Sequence, residues 1–221
     1  NNVKVLAPRA SYNGMISFNQ SPDIKNIELN NIEVTGVSYL GGFIGIMRYF
    51  DIAHVTANHV TVTGTGDYIG GVVGYRDHSS YSTIFNVSAN DLHVTGRDEV
   101  GGVFGRAAGD YISATDAHVS GRRFVGGICG RHYVTYTNYY SLKDAEVTGS
   151  EYYIGGAFGY SYRAYYVFLD NVTVKGTRVD GDNYVGGISG IGGYGVYYSG
   201  IKNSTVTNAG NYTGGVRGKL I

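Results

Sequence analysis

Apolar and polar residues alternate in an eight-residue phrase that recurs seven times: LNNIEVTG (29–36), ANHVTVTG (57–64), ANDLHVTG (89–96), ATDAHVSG (114–121), LKDAEVTG (142–149), LDNVTVKG (169–176) and IKNSTVTN (201–208). Positions four and six are the inward-facing ones, which is the two-residue period of a strand with one buried face. Valine fills position six in every copy, from Val34 to Val206, and a β-branched residue suits a strand pointing into a core. Position three is Asn31, His59, Asp91, Asp116, Asp144, Asn171 and Asn203. Asx side chains tolerate left-handed backbone and bond locally, so this position predicts a corner. The closing glycine, replaced only by Asn208, predicts a second corner of the same kind. No segment carries a sustained 3.6-residue apolar stripe, so helix is not expected.

Each phrase is answered by a glycine motif: GGFIG, GGVVG, GGVFG, GGICG, GGAFG, GGISG and GGVRG. Their first glycines, Gly41, Gly70, Gly101, Gly126, Gly155, Gly186 and Gly214, are separated by 29, 31, 25, 29, 31 and 28 residues. A period of this size predicts an all-β fold, a right-handed parallel β-helix (β-solenoid) of about seven coils, with parallel coiling taking its usual hand. Stacked at strand spacing, seven coils make a body on the order of 35 Å long. Residues 1–25 break the pattern, contain both prolines (Pro8 and Pro22), and read as an atypical N-terminal coil or cap; residues 26–221 carry the repeats. The carboxyl end offers no comparable cap, which reads first as an excised segment and second as an end-to-end contact.

The tetrads GFIG, GVVG, GVFG, GICG, GAFG, GISG and GVRG resemble the GLUG repeat of bacterial surface and adhesin-like proteins. Leucine never occupies the second place in this chain; the glycine frame and, in all seven copies, an apolar second residue are what agree. The resemblance implies an extracellular or cell-surface, repetitive, adhesive protein, and it carries over no catalytic residue.

The glycine motif sets a pleat problem. The residues before GG (Leu40, Ile69, Val100, Val125, Ile154, Val185, Thr213) and those after it (Phe43, Val72, Val103, Ile128, Ala157, Ile188, Val216) would face opposite sides of a regular strand. Either a bulge at the glycine pair turns both inward, or one stripe lies outside and is covered by lateral self-association, as in a surface filament or stalk, or by another layer of the same parent protein.

Composition narrows the function classes. Lysine plus arginine equals aspartate plus glutamate at 17 each, so nothing draws the chain to nucleic acid. No apolar run reaches membrane-spanning length, so membrane insertion is not expected. The single cysteine, Cys129, shares its repeat position with Ile44, Val73, Phe104 and Phe158 and reads as a small buried hydrophobe.

The segments after the glycine motifs hold most of the tyrosines, together with arginine and histidine. Tyrosine offers a broad rigid ring and a hydroxyl with few torsions to freeze, which binding surfaces favour. Stacked coils would gather these side chains into one aromatic and basic patch. The candidate ligand-binding residues are Arg48, Tyr49, Tyr75, Arg76, His78, Arg131, His132, Tyr133, Tyr136, Tyr139, Tyr140, Tyr160, Tyr162, Arg163, Tyr165, Tyr166, Tyr197 and Tyr198. Adjacent aromatics such as Tyr139 and Tyr140, or Tyr165 and Tyr166, cannot all face inward. The partner expected is a glycan or a protein on a cell surface, with a homo-oligomer or filament as the other assignment.

Three further patterns carry less. His93, His118 and Glu146 at position five have zinc-type donors but read as solvated ladder residues, and no metal or cofactor is assigned. Thr35, Thr63, Thr95, Ser120, Thr148 and Thr207 form a hydroxyl ladder that strand propensity explains. Asp67, Asp98, Glu99, Glu151, Asp180 and Asp182 precede the glycine pairs, where turns commonly carry acids. No pair of them repeats a catalytic spacing, so the chain is not expected to be an enzyme.

Overall fold

The structure, a computed structural model, describes residues 2–19, 23–77, 82–133, 139–178, 183–193 and 196–220. The described residues are all-β and contain no helix: parallel strands stack coil upon coil into a β-solenoid. Three sheets run the length of the stack. The first is built from Ile24–Gly36, Ile52–Gly64, Ile84–Thr95, Asp110–Gly121, Tyr140–Gly149 and Val167–Gly176, continued by Gly200–Lys202 and Thr205–Asn208. Phrase lies on phrase in register, so that Val34, Val62, Val94, Val119, Val147, Val174 and Val206 form one column. Short strands before each glycine pair make the second sheet, and strands after it make the third.

Residues 3–19 join the same stack. Val3–Leu6 pairs with Ile32–Thr35, and Ile16–Asn19 pairs with the strand Ile44–Met47. Between them Gly41 N–H donates to the Asn13 carbonyl at 3.0 Å.

Position three lies at positive φ in all seven copies, between 49° and 56°, so the long strand bends there as its Asx character predicts. Two more left-handed columns flank it. One runs Asn26, His54, Asn86, Tyr111, Tyr166, Tyr198 and the other Tyr12, Tyr39, Tyr68, Glu99, Phe124, Tyr153. Left-handed backbone costs a tyrosine about 1–2 kcal/mol, so packing between coils must offset it at each corner.

The closing glycine of the phrase is not such a corner. None of Gly36, Gly64, Gly96, Gly121, Gly149 and Gly176 has positive φ. Each is small because an apolar side chain of the second sheet occupies the place of its Cβ: Leu40 at Gly36, Ile69 at Gly64, Ile154 at Gly149, Val185 at Gly176. Space, rather than backbone freedom, selects glycine there.

The pleat problem is resolved by a corner within the glycine motif rather than by the expected bulge. At each coil two successive amides share one carbonyl: Phe43 and Ile44 both donate to Val72 O (3.1 and 3.0 Å), Val72 and Val73 to Val103 O, and Ala157 and Phe158 to Ile188 O. The register is the same on either side, with Leu40 opposite Ile69 and Ile44 opposite Val73, so no residue is inserted and the chain turns a corner as it passes from the second sheet to the third. Both stripes end up in the core, with Leu40, Ile69, Val100, Val125, Ile154 and Val185 buried alongside Phe43, Val72, Val103, Ile128, Ala157 and Ile188. The lateral filament contact expected of an external stripe therefore has no exposed stripe along these six coils. The last glycine of the motif explains the rest of the frame, since a Cβ on Gly105, Gly159 or Gly190 would strike the backbone of Tyr68, Phe124 or Tyr153 in the second sheet.

Candidate ligand-binding surface

The outer face of the first sheet carries an aromatic ridge. Tyr111, Tyr139, Tyr166 and Tyr198 follow one another at the first corner of four successive coils, with ring centroids 6.0, 6.3 and 5.3 Å apart and interplanar angles of 17°, 20° and 14°. Their regular succession follows from the strand pairing, which sets each ring over the last. All four are exposed, Tyr198 most of all at 73%. Because the rings cover one another's faces, the ridge presents mainly edges and phenol hydroxyls to solvent. Phe85 extends it, meeting Tyr111 edge-on at 5.4 Å.

Beside the ridge runs a column of small hydroxyl residues, Thr56, Ser88, Ser113 and Ser141, followed in the same register by Phe168 and Gly200. Phe168 is thus an aromatic ring set between a serine and a glycine, and it is 39% exposed. An added Cβ on Gly200 would come no nearer than 3.5 Å to the ring, so the glycine leaves that side of Phe168 uncovered. Tyr139 tilts toward it at 5.5 Å and 40°. A groove of about 340 Å³ opens here, lined by Ser141, Leu142, Lys143, Phe168, Leu169, Asp170, Gly200, Ile201 and Lys202. Lys143 lies 3.5 Å from Asp144, and Lys202 lies 4.0 Å from Asp170, both as loose exposed pairs that leave donors and acceptors for a ligand.

A second aromatic array joins the second and third sheets. Tyr12, Tyr39 and Tyr68 stack at 4.9 and 4.6 Å, and Phe124, Tyr153, Tyr184 and Tyr212 continue the column at 4.9, 5.5 and 4.8 Å. Glu99 takes the one place between Tyr68 and Phe124. Third-sheet side chains cover these rings. Tyr75 packs edge-on against Tyr39 and Tyr68, Arg106 lies 4.9 Å from the Tyr133 ring, and Arg131 lies 5.2 Å from Phe124 and 5.1 Å from Tyr160. Arg131 also reaches Glu99 at 3.2 Å. Burial pushes the Glu99 carboxyl above its usual range, and the opposing charges of Arg106 and Arg131 do not cancel that effect. Its neighbour Asp98 goes the other way. Burial works to raise it too, yet hydrogen bonds from Arg122 and Arg123 hold it at about 2.

The residues expected to form one patch are therefore divided. Tyr139, Tyr166 and Tyr198 lie on the first ridge, with Tyr165 and Tyr197 stacked beside them at 5.0 Å. Tyr75, Arg131, Tyr133 and Tyr160 belong to the second array. Tyr49 is exposed near the amino end, and Arg48 pairs with Asp77 at 2.8 Å. Tyr162 is exposed and Arg163 half-buried. His78 and Tyr136 lie outside the described residues. His132 and Tyr140 are corrections, since both are fully buried. The Tyr140 hydroxyl donates to Gly109 O at 2.7 Å and accepts from His132 Nε2 at 2.8 Å, and burial pushes its phenol well above the usual range. Arg76 is drawn inward in the same region, donating to Ala108 O at 3.1 Å.

Phe168, Gly200, Lys143 and Lys202 were not singled out by the sequence. The available signal was a single aromatic in a column of small hydroxyl residues, visible only once the repeats are aligned. The same alignment would have shown the second aromatic column preceding the glycine pairs.

The remaining candidates are occupied structurally. Asp67 receives a paired contact from Arg97 at 2.9 and 3.0 Å, and Glu151 lies 3.9 Å from Arg122. Asp180 and Asp182 fall outside the described residues. The His93 and His118 rings stack at 5.0 Å and 4°, a face-to-face arrangement that keeps their nitrogens from converging. Among the described residues no three His, Cys, Asp or Glu side chains group as metal ligands would.

No family model, no curated protein and no solved structure matches this chain.

Proposed function

We propose that the chain is an extracellular adhesion or receptor-binding module whose ligand is a glycan, bound in the groove at Phe168 and along the neighbouring tyrosine ridge. The observation that carries this reading is the exposed Phe168 ring between Ser141 and Gly200, with Lys143, Asp170 and Lys202 around it. A pyranose has an apolar face and a polar rim. An open aromatic ring offers a surface for the first, and convergent hydroxyl, ammonium and carboxylate groups offer hydrogen bonds for the second. The likeness of the glycine motifs to adhesin repeats supports the extracellular setting.

A glycan array probed with the labelled protein, followed by calorimetric titration of the strongest hit, tests the proposal. Phe168→Ser should lose binding at unchanged melting temperature. Full affinity in that variant, or an array without a hit, would overturn it. A protein ligand is the second reading, favoured by the ridge, whose edges and hydroxyls suit a flat protein surface. In that case Tyr139→Ser with Tyr166→Ser abolishes binding of the partner and Phe168→Ser does not.

A further inference from the structure

The chain contains no tryptophan and one cysteine, and that thiol is fully buried, with its acidity pushed to about 12 by burial. Met15 is exposed, but a thioether is oxidised by gaining an oxygen atom. One-electron oxidation at this surface therefore settles on tyrosine. At the corner between the last two coils, exposed or half-exposed tyrosines are set in parallel pairs. Tyr165 and Tyr197 stack at 5.0 Å and 18°, and Tyr166 and Tyr198 at 5.3 Å and 14°.

We propose that these two pairs are sites of oxidative tyrosine–tyrosine cross-linking, which staples adjacent coils together when hydrogen peroxide and a haem peroxidase supply the oxidant. Each phenol loses one electron and its hydroxyl proton to give a phenoxyl radical. Two such radicals on facing rings join through their ortho carbons. Each ring then returns its ortho hydrogen to the oxygen and regains aromaticity. Two tyrosines lose two hydrogens in all, and one peroxide is reduced to two waters, so atoms and electrons balance. Tyr139, stacked on Tyr166 at 6.3 Å, and Tyr111, stacked on Tyr139 at 6.0 Å, would pass a radical formed on them along the ridge to the closer pairs.

Proximity alone does not select these pairs. Tyr39 lies nearer to Tyr68 and Tyr12, at 4.6 and 4.9 Å, and Tyr184 to Tyr212, at 4.8 Å, but Tyr75 wedges edge-on against Tyr39 and Tyr68, and Tyr184 is buried. Forming the carbon–carbon bond requires stacked rings to swing toward a common plane, and wedged or buried rings cannot do so without displacing neighbours. Tyr198, 73% exposed, can.

The test treats dilute protein with horseradish peroxidase and limiting peroxide, then measures dityrosine fluorescence, intact mass and cross-linked peptides. The expected product is a monomer short of two hydrogens, with the bond mapped between Tyr165 or Tyr166 and Tyr197 or Tyr198. The double variant Tyr197→Phe, Tyr198→Phe should lose that product while keeping the wild-type circular dichroism spectrum and melting temperature. Bonds confined to other tyrosines, products that are exclusively intermolecular, or an undiminished yield in the folded double variant would each overturn the proposal. If that variant does not fold, Tyr166→Phe with Tyr165→Phe provides the same comparison from the other coil.

Discussion

His132 Nε2 and the Tyr140 hydroxyl meet at 2.8 Å inside the stack, one residue along from a Tyr139 ring that is 44% exposed. The alternation of a strand places one tyrosine in the core and its neighbour in solvent. Tyr140→Phe removes the buried hydrogen bonds that tie the Gly109 carbonyl and His132 to the phenol, and losing such bonds costs about 0.5–1.5 kcal/mol each. Tyr139→Ser should stay within about 0.5 kcal/mol of wild type. Urea denaturation of the two variants checks this, and equal losses would contradict the assignment.

Asp98 and Glu99 should affect acid stability with opposite signs. The folded Asp98 is held at about 2, below its ordinary value of 3.8. Its contribution is present above the unfolded value and is lost as pH falls from about 4 to about 2, amounting to roughly 2 kcal/mol at neutral pH. Asp98→Asn should flatten this limb of the stability profile. Glu99 is raised in the folded state, so its ionisation opposes folding, and lowering the pH through its folded value adds stability. Glu99→Gln should therefore not destabilise the protein at neutral pH, whereas Asp98→Asn should. Melting temperatures from pH 2 to 7 distinguish the two.

Gly200 and Gly159 make a contrast in the space around a Cβ. Gly159→Ala drives the new methyl into the backbone of Phe124 in the facing sheet. Overpacking of this kind costs roughly 1–3 kcal/mol or more, and the variant should melt lower or fail to accumulate as soluble protein. Gly200→Ala meets only the Phe168 ring at ordinary contact distance and should melt like wild type.

Gly200→Leu extends the comparison to function. A leucine there would lie over the uncovered side of Phe168, so glycan affinity should fall at least tenfold while the fold persists. Unchanged affinity would place the ligand elsewhere.

Much of the architecture was legible because a solenoid turns sequence periodicity directly into spatial periodicity. Residues one repeat apart become neighbours whenever the coils stack in register. The valine column, the left-handed Asx corner and the parallel pairing of phrase on phrase all follow from residue types repeating at fixed places. The glycine motif was legible as a frame but not as a mechanism. The burial of both its apolar stripes depends on two amides sharing a carbonyl, and glycine at the phrase end answers to the neighbouring Leu40 column rather than to its own backbone.

The candidate surface was legible in its composition and not in its arrangement. Sequence counted tyrosines without telling Tyr139 from Tyr140, and it merged two aromatic columns on different sheets into one patch. Corner angles and the inward swing of His132 and Arg76 decide which rings reach solvent. These depend on contacts between coils, which no single repeat contains. By itself the sequence determined that like residues stack upon like; only the tertiary structure decided which stacks face outward, because each coil bends at left-handed corners and at its glycine pair in directions set by the packing of the next coil.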